Sequence, residues 1–294
     1  DTIKVALPQN TLVDLRTLCM YYEAEGATDC HMPRLSSSII KTLSVYINGN
    51  LVERIDNYSV LYNKLYDLDG GGADQTSKRF LENADPSVYY DTGIGSTSLA
   101  TGVFKVTAAN AAVKRKFAIH SWLGFISSLS TPIIDTNDLN KVEIEIQFES
   151  KNIVFKTMTN VALTTADYTL SDIHFMINKV VFNDPLYYNL KASKLLSSGL
   201  TIGYQTYICS KGALALKSSS YNVYTSFNTT SLDQLIGCFT PEVVDANNLL
   251  LWGHYADDTT ADPVAFNAVL ATNAITAETA VANTGGLYNQ VVYF

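Results

Sequence analysis

The chain has 294 residues, enough for one large domain or two of ordinary size, and 47% of them are hydrophobic, so a substantial core is available. Only 16% are charged, against roughly 25% in a typical soluble domain. A net charge of −8, with Lys114-Arg115-Lys116 as the only basic run, argues against sequence-specific nucleic-acid binding, which needs concentrated Lys and Arg for phosphate contacts.

In place of charge the chain carries Ser, Thr, Asn and 18 tyrosines. Such a surface is polar yet inexpensive to dehydrate, because few ions must be stripped of water when it is buried. Faces that meet other subunits have this composition, and so do extracellular all-β domains. No apolar stretch approaches the ~18 residues of a membrane-spanning helix. No signal-peptide pattern opens the chain, and Asp1 rather than Met stands first, which leaves room for a short preceding arm.

In chain order, Val45, Ile47 and Leu51 around Asn48-Gly49-Asn50 predict strand, tight turn, strand. From Tyr58 the apolar positions become Tyr58, Leu61, Tyr62, Leu65 and Leu68, the spacing of a helix. Asp69–Ala112, opened by Gly70-Gly71-Gly72, is rich in Gly, Ala, Ser and Thr and is too long for a hairpin loop. Lys141–Glu149 alternates without a fault. Val142, Ile144, Ile146 and Phe148 share one face, and Lys141, Glu143, Glu145, Gln147 and Glu149 the other, which predicts a half-buried antiparallel strand with one wet face.

Weaker alternation marks Ser171–Val181, Leu200–Cys209 and Tyr221–Phe227 as strands. Helices are predicted at Leu186–Leu196 and at Ser231–Cys238, where Ser231 is placed to cap the first turn with Asp233 behind it. Ala256–Gly286 is a second long insertion, rich in Ala and Thr. Leu287–Phe294 returns to strand character.

An offset of 130 residues sets Ile47 on Ile177, Asn48 on Asn178, Tyr58 on Tyr188, Lys64 on Lys194 and Leu65 on Leu195 without a gap. The order strand, turn, strand, helix thus recurs at nearly half the chain length. A tandem duplication explains this, with coincidence between two amphipathic hairpins as the alternative. The boundary falls near Ser150, giving domains 1–150 and 151–294.

No catalytic constellation is present. His31, His120, His174 and His254 have no partner at metal-ligand spacing, and His174 is expected on the polar side of its strand. Neither a nucleophile elbow nor a phosphate loop occurs, and Gly93-Ile94-Gly95-Ser96 lacks the third glycine of a dinucleotide fingerprint. Asp257, Asp258 and Asp262 near His254 match no calcium-loop spacing. Cys19, Cys30, Cys209 and Cys238 lack the spacing of a disulfide framework or of a zinc site. They are expected to be free thiols, in keeping with intracellular synthesis. Asn57-Tyr58-Ser59 and Asn228-Thr229-Thr230 are sequons by pattern, with Asn57 better explained as a helix cap. The expected catalytic, cofactor and metal sites are therefore none.

Three stretches carry a family resemblance: VYINGNLVERIDNYSVLYNKL from Val45, LSDIHFMINKVVFNDPLYYNL from Leu170, and TSFNTTSLDQLIGCF from Thr225. Taken with the two equal halves, the chain from about Asp14 to Phe239 resembles the double jelly-roll major capsid proteins of tailless icosahedral viruses. That group includes adenovirus hexon and the capsid proteins of internal-membrane phages, virophages and large algal viruses. The resemblance implies an all-β fold of two tandem eight-stranded jelly-roll sandwiches, with a few short helices and long apical loops. It also implies a non-enzymatic protein that packs as pseudo-hexagonal homotrimers into an icosahedral shell. Its partners would be further copies of itself, penton and minor capsid proteins, and in some members an internal membrane. It would reside in the virion after synthesis in the host cytoplasm. The rival reading is a jelly-roll receptor- or carbohydrate-binding module, with Tyr89-Tyr90 or Trp252–Tyr255 as exposed aromatics; a β-sandwich hydrolase is a third class.

Overall fold

The computed structural model describes residues 1–26, 30–31, 35–69, 115–150, 155–156, 168–181, 185–197, 199, 201–213, 227, 229, 231–240 and 290–294. The segments Gly70–Ala112 and Ala256–Gly286, nearly all of Tyr221–Phe227, Tyr89-Tyr90, Trp252–Tyr255 and the aspartates near His254 lie outside the described residues.

Two four-stranded antiparallel sheets dominate. The first has the order β1 (Thr2–Ala6), β8 (Val142–Phe148), β4 (Ile40–Ile47), β5 (Asn50–Asp56). The second is built on β2 (Leu12–Gly26), which pairs along one edge with β10 (Tyr168–Val180). Its other edge takes two short strands end to end, β7 (Ile133–Asp135) and β6 (Arg115–Ile119). A 15-residue strand can serve three partners because its edge is long enough to be divided. A third, smaller sheet orders β11 (Ser210–Ala213), β13 (Gln290–Tyr293) and β12 (Gly237–Thr240). The short strands β3 (Cys30–His31) and β9 (Phe155–Lys156) pair with each other.

The apolar side of the alternation at Val142–Phe148 is realised as expected, but the polar side is drier than a wet face, with Glu143 buried and Glu145 and Gln147 half-buried between β1 and β4. Val142, Ile144, Ile146 and Phe148 are buried, while Glu143 takes Lys141 at 2.7 Å and Lys4 at 3.5 Å. Both large sheets feed one hydrophobic cluster: Leu15, Leu18 and Met20 from β2, Leu43 and Val45 from β4, Ile55 from β5, and Phe117 and Ile119 from β6. Hydrophobic burial is non-directional, so the two sheets need only present their apolar faces to this shared interior, as in a sandwich.

The β4–β5 turn forms as the sequence indicates. Asn48 and Gly49 have φ of 51° and 81°, the left-handed pair that a two-residue hairpin requires and that Asn-Gly adopts at least cost. Helix α1 (Tyr58–Asp69) follows directly, with Tyr58, Val60, Leu61 and Tyr62 buried. Asn57 caps this helix through its carbonyl, which accepts from the Val60 and Leu61 amides. Its side chain departs from the expected role, donating instead to the Cys209 sulfur at 3.0 Å.

Two further expectations are corrected. Ser231–Cys238 is not a helix: residues 231–236 are irregular and Gly237–Thr240 is a strand. Helical spacing of Leu232, Leu235 and Ile236 is overridden by main-chain pairing, because Ile236 and Phe294 exchange both hydrogen bonds. Leu200–Cys209 forms no ladder where it is described. Gly203 and Gln205 instead bond Ser130 and Ser128, whose hydroxyls stand in for part of a strand partner.

Helix α4 (Pro185–Ser197) occupies its predicted place; α2 (Phe125–Ser128) and α3 (Thr136–Leu139) are single turns. The halves differ at the offset of 130. Asn48 makes a turn, whereas Asn178 lies within β10 and donates its amide to the Thr17 hydroxyl at 2.9 Å. Strand followed by helix recurs; the hairpin turn does not.

Candidate functional site

Among the described residues, apolar burial and apolar exposure are segregated along the chain. Every buried hydrophobic residue except Ile236 and Phe294 precedes residue 149. Every exposed large hydrophobic except Leu51 and Ile133 lies from Met176 onward. The largest concentration is on α4 and the residue before its approach, with Val181, Leu186, Tyr188, Leu190, Leu195 and Leu196 all exposed. Leu196 is 90% exposed and no residue of α4 is buried. Exposed apolar side chains in this number on one short helix mark a surface meant to be covered.

A charge cluster fastens α4. The Lys191 ammonium sits between the carboxylates of Asp135 and Asp138, the latter at 2.7 Å, with side-chain exposure of only 11%. Burial alone would lower the Lys191 pKa; the hydrogen bonds and charges of the two aspartates outweigh it and raise it. Asp135 also caps α3, accepting from the Asn137 amide at 2.9 Å, so a single carboxylate joins a turn of the first 150 residues to a helix of the remainder. The helix is thereby held in a fixed place with its leucines outward.

A second junction lies at Glu53. It occupies the same face of β5 as Ile55 and is almost fully buried. One oxygen accepts the Phe125 amide at 2.6 Å; Oε1 has no hydrogen-bond partner. Burial pushes the Glu53 pKa up to about 7, offset in part by the Phe125 amide and the Thr206 hydroxyl. Gly124, at φ 69°, lets the chain pass; a Cβ there would run into the carboxylate. Tyr204 covers this point, packing edge-on against Phe125 and donating to the Val52 carbonyl at 3.1 Å.

His174 is exposed, as expected, and stacks on Tyr21 with ring centroids 5.2 Å apart. His120 is exposed; the side chains of His31, Cys30 and Cys238 lie outside the described residues. Cys19 and Cys209 are free thiols. Lys116 is on an edge strand and pairs with Glu23 at 3.7 Å. Among the described residues no group of three or more His, Cys, Asp or Glu could hold a metal ion, and no helix is long and apolar enough to cross a membrane. The Asn57 amide is engaged with Cys209 and Ser59 is buried, so the first sequon is not presented for modification. Glu53 and the Lys191 cluster were not singled out from sequence. Glu53 had a signal, a carboxylate in step with Leu51 and Ile55; Lys191 had none.

No protein-family model matches the chain, and no curated protein matches it. Among solved structures, one similar chain belongs to a quasi-atomic model of the PBCV-1 virus capsid, with 11% identity, a TM-score of 0.42 and coverage of 83% of this chain and 46% of the other. Another belongs to the cryo-EM structure of the Sputnik virophage, with 11% identity, a TM-score of 0.29 and coverage of 60% and 42%. The chain therefore spans less than half the length of each. Likenesses this weak assign neither a fold nor a function to it.

Proposed function

We propose that this chain is a structural subunit of a viral shell, a major capsid protein of the double jelly-roll type. In this reading residues 1–150 and 151–294 are its two rolls, and three copies associate into a pseudo-hexagonal tile of an icosahedral coat. The observation that carries the reading is the apolar face of α4, held outward by the Lys191–Asp135–Asp138 cluster. A second copy is the natural cover for such a face. The low charge of the chain makes a large, permanent interface cheap to dehydrate, and obligate oligomers bury about 2,000 Å² or more in this way. Two antiparallel sheets sharing one core supply a rigid plate on which such faces can be displayed. Penton and minor capsid proteins, and an internal membrane in some shells, would be the further contacts.

Multi-angle light scattering on the purified protein tests the reading. A particle of three times 32.2 kDa that persists on dilution to micromolar concentration is the expected result. A well-folded monomer at that concentration would remove it and favour the binding-module alternative. Negative-stain microscopy would then show isolated particles rather than hexagonal tiles.

A further inference from the structure

Residues 203–206 form a thin cover over Glu53. Both ends of this cover are pinned. Ile202 and Tyr207 pack against the hydrophobic core, and beyond them the Cys209 sulfur accepts from the Asn57 side-chain amide at 3.0 Å. Between the pins, hydrogen bonds to two serines hold the cover down. The Ser130 amide donates to the Gly203 carbonyl at 2.9 Å, and the Gly203 amide donates to the Ser130 hydroxyl at 3.3 Å. The Gln205 amide donates to the Ser128 hydroxyl at 2.8 Å. Tyr204 adds its edge-on contact with Phe125 and its bond to the Val52 carbonyl. Gly203, Tyr204, Gln205 and Thr206 are all exposed, whereas Glu53 beneath them is only 2% exposed. On this side a single layer of chain keeps water from the carboxyl group.

The groups around Glu53 supply no counter-charge. From β4, Val45 stands across from it. From the start of α2 comes the Phe125 amide, with Gly124 leaving room for the carboxyl. From the cover come the Thr206 hydroxyl and the Tyr204 phenol, whose own pKa is raised by burial and then by the Glu53 charge. On β5 itself, Arg54 and Asp56 alternate onto the opposite face and pair with each other at 3.0 Å. Farther along, Lys211, Glu149 and Cys209 interact among themselves and with Lys41, Ser59, Asn57 and Asp56. None of these charges enters the Glu53 titration, which burial, the Phe125 amide and the Thr206 hydroxyl set. A neutral carboxyl tolerates this place with Oε1 unpartnered. An ionised one sits there only at a cost that water would relieve.

We propose that residues 203–206 are a proton-controlled flap, which stays down while Glu53 is protonated and lifts to admit water when Glu53 ionises. The opening is local, because the pins at Ile202 and Tyr207 stay in place and the core strands remain paired. The flap is independent of the assembly reading, since all of its contacts lie within one chain. Under the closed flap Glu53 titrates at about 7, and in water it returns toward 4.5. Closure is therefore at full strength below the lower value, weakens as pH rises between the two, and levels off above the upper one.

Amide hydrogen exchange on the whole chain across this pH range tests the flap. Glu53→Gln, measured at each pH, is the reference that cancels the intrinsic acceleration by base. Relative to it, the Ser130, Gly203 and Gln205 amides should lose protection by about tenfold per pH unit between about pH 4.5 and 7, and by up to about 300-fold in all. Above this window they should also exchange faster than the amides of β8. Flap and β8 amides exchanging at one common rate would mean that the cover opens only with the whole protein, which overturns the proposal. Flap amides that track Glu53→Gln at every pH overturn it equally. A second measurement needs no variant: the Glu53 carboxyl carbon resonance of the native chain should titrate with a midpoint of about 7. A midpoint in the ordinary carboxylate range would also overturn the proposal.

Discussion

Helices α1 and α4 begin from nearly the same instructions. Tyr58 and Tyr188, Lys64 and Lys194, Leu65 and Leu195 occupy matching positions, and both helices are short and amphipathic. Their fates are opposite. α1 has Tyr58 and Leu61 fully buried, the Tyr58 hydroxyl accepting from the Leu123 amide, and Asn63 bonded to Ser38 and to the Ser59 carbonyl. No residue of α4 is fully buried, and Lys191 ties the helix between two aspartates. Periodicity specifies that a helix has an apolar face; what covers the face depends on the surface opposite. For α1 that surface is β4 and the 3₁₀ turn Ser36–Ile39 that leads into it, which the chain supplies itself.

The comparison breaks most sharply at Leu61. Leu61→Ala should cost about 2–5 kcal/mol in chemical denaturation, since a fully buried side chain leaves a cavity that neighbours fill only in part. Ile144→Ala on β8 belongs in the same range. A loss below 1 kcal/mol at Leu61 would mean that α1 is no better packed than α4.

Glu53 probes the point where the later part of the chain leans on the earlier. Its pKa is about 7 in the folded protein, against 4.5 when unperturbed. Between these values the folded state keeps a proton that the unfolded chain has lost, so stability falls as pH rises through the window and levels off above it. The effect amounts to at most roughly 3 kcal/mol. Glu149 is also raised by burial, chiefly, and adds a slope of the same sign. Glu53→Gln should therefore flatten the pH dependence of stability between about pH 4.5 and 7 relative to the native chain. Parallel curves for the two proteins would show that Glu53 is ionised in the folded state.

Lys191→Met tests whether α4 is held by charge. Two partly buried carboxylates would lose their shared cation, at a cost of roughly 1–3 kcal/mol. Amide exchange should accelerate in α4 and remain unchanged in α1. Equal acceleration in both helices would place them in one cooperative unit and dissolve the contrast.

Legibility in the sequence tracked local physics. The Asn48-Gly49 turn, α1, α4, β8 and the strand at Ser171–Val181 were all readable, because each is specified by its own dihedral demands or its own period. Ser231–Cys238 was misread as a helix, since the pairing of Ile236 with Phe294, far along the chain, outweighed helical spacing. Leu200–Cys209 carries strand alternation but finds serine hydroxyls where a strand partner would be. Nothing local announced Lys191, whose partners lie some fifty residues earlier and come together only in the fold. Glu53 was legible in principle: a carboxylate in phase with apolar neighbours on a strand is either buried or the strand is misassigned.

The smallest expected effect on the protomer is also the one that bears most directly on assembly. Leu190 is 62% exposed on α4, so Leu190→Ser removes no buried contact within the chain and should change protomer stability by no more than about 0.5 kcal/mol. If a second copy covers the face, however, the same change removes an apolar contact from an interface repeated at every junction of the tile. Light scattering across a dilution series should then show the three-fold particle dissociating at a higher protein concentration than the native chain does. Leu61→Ala provides the opposite control, lowering stability while leaving the α4 face unaltered. A Leu190→Ser protein that matches the native chain in both stability and mass at every concentration would mean that α4 faces solvent in the assembled state.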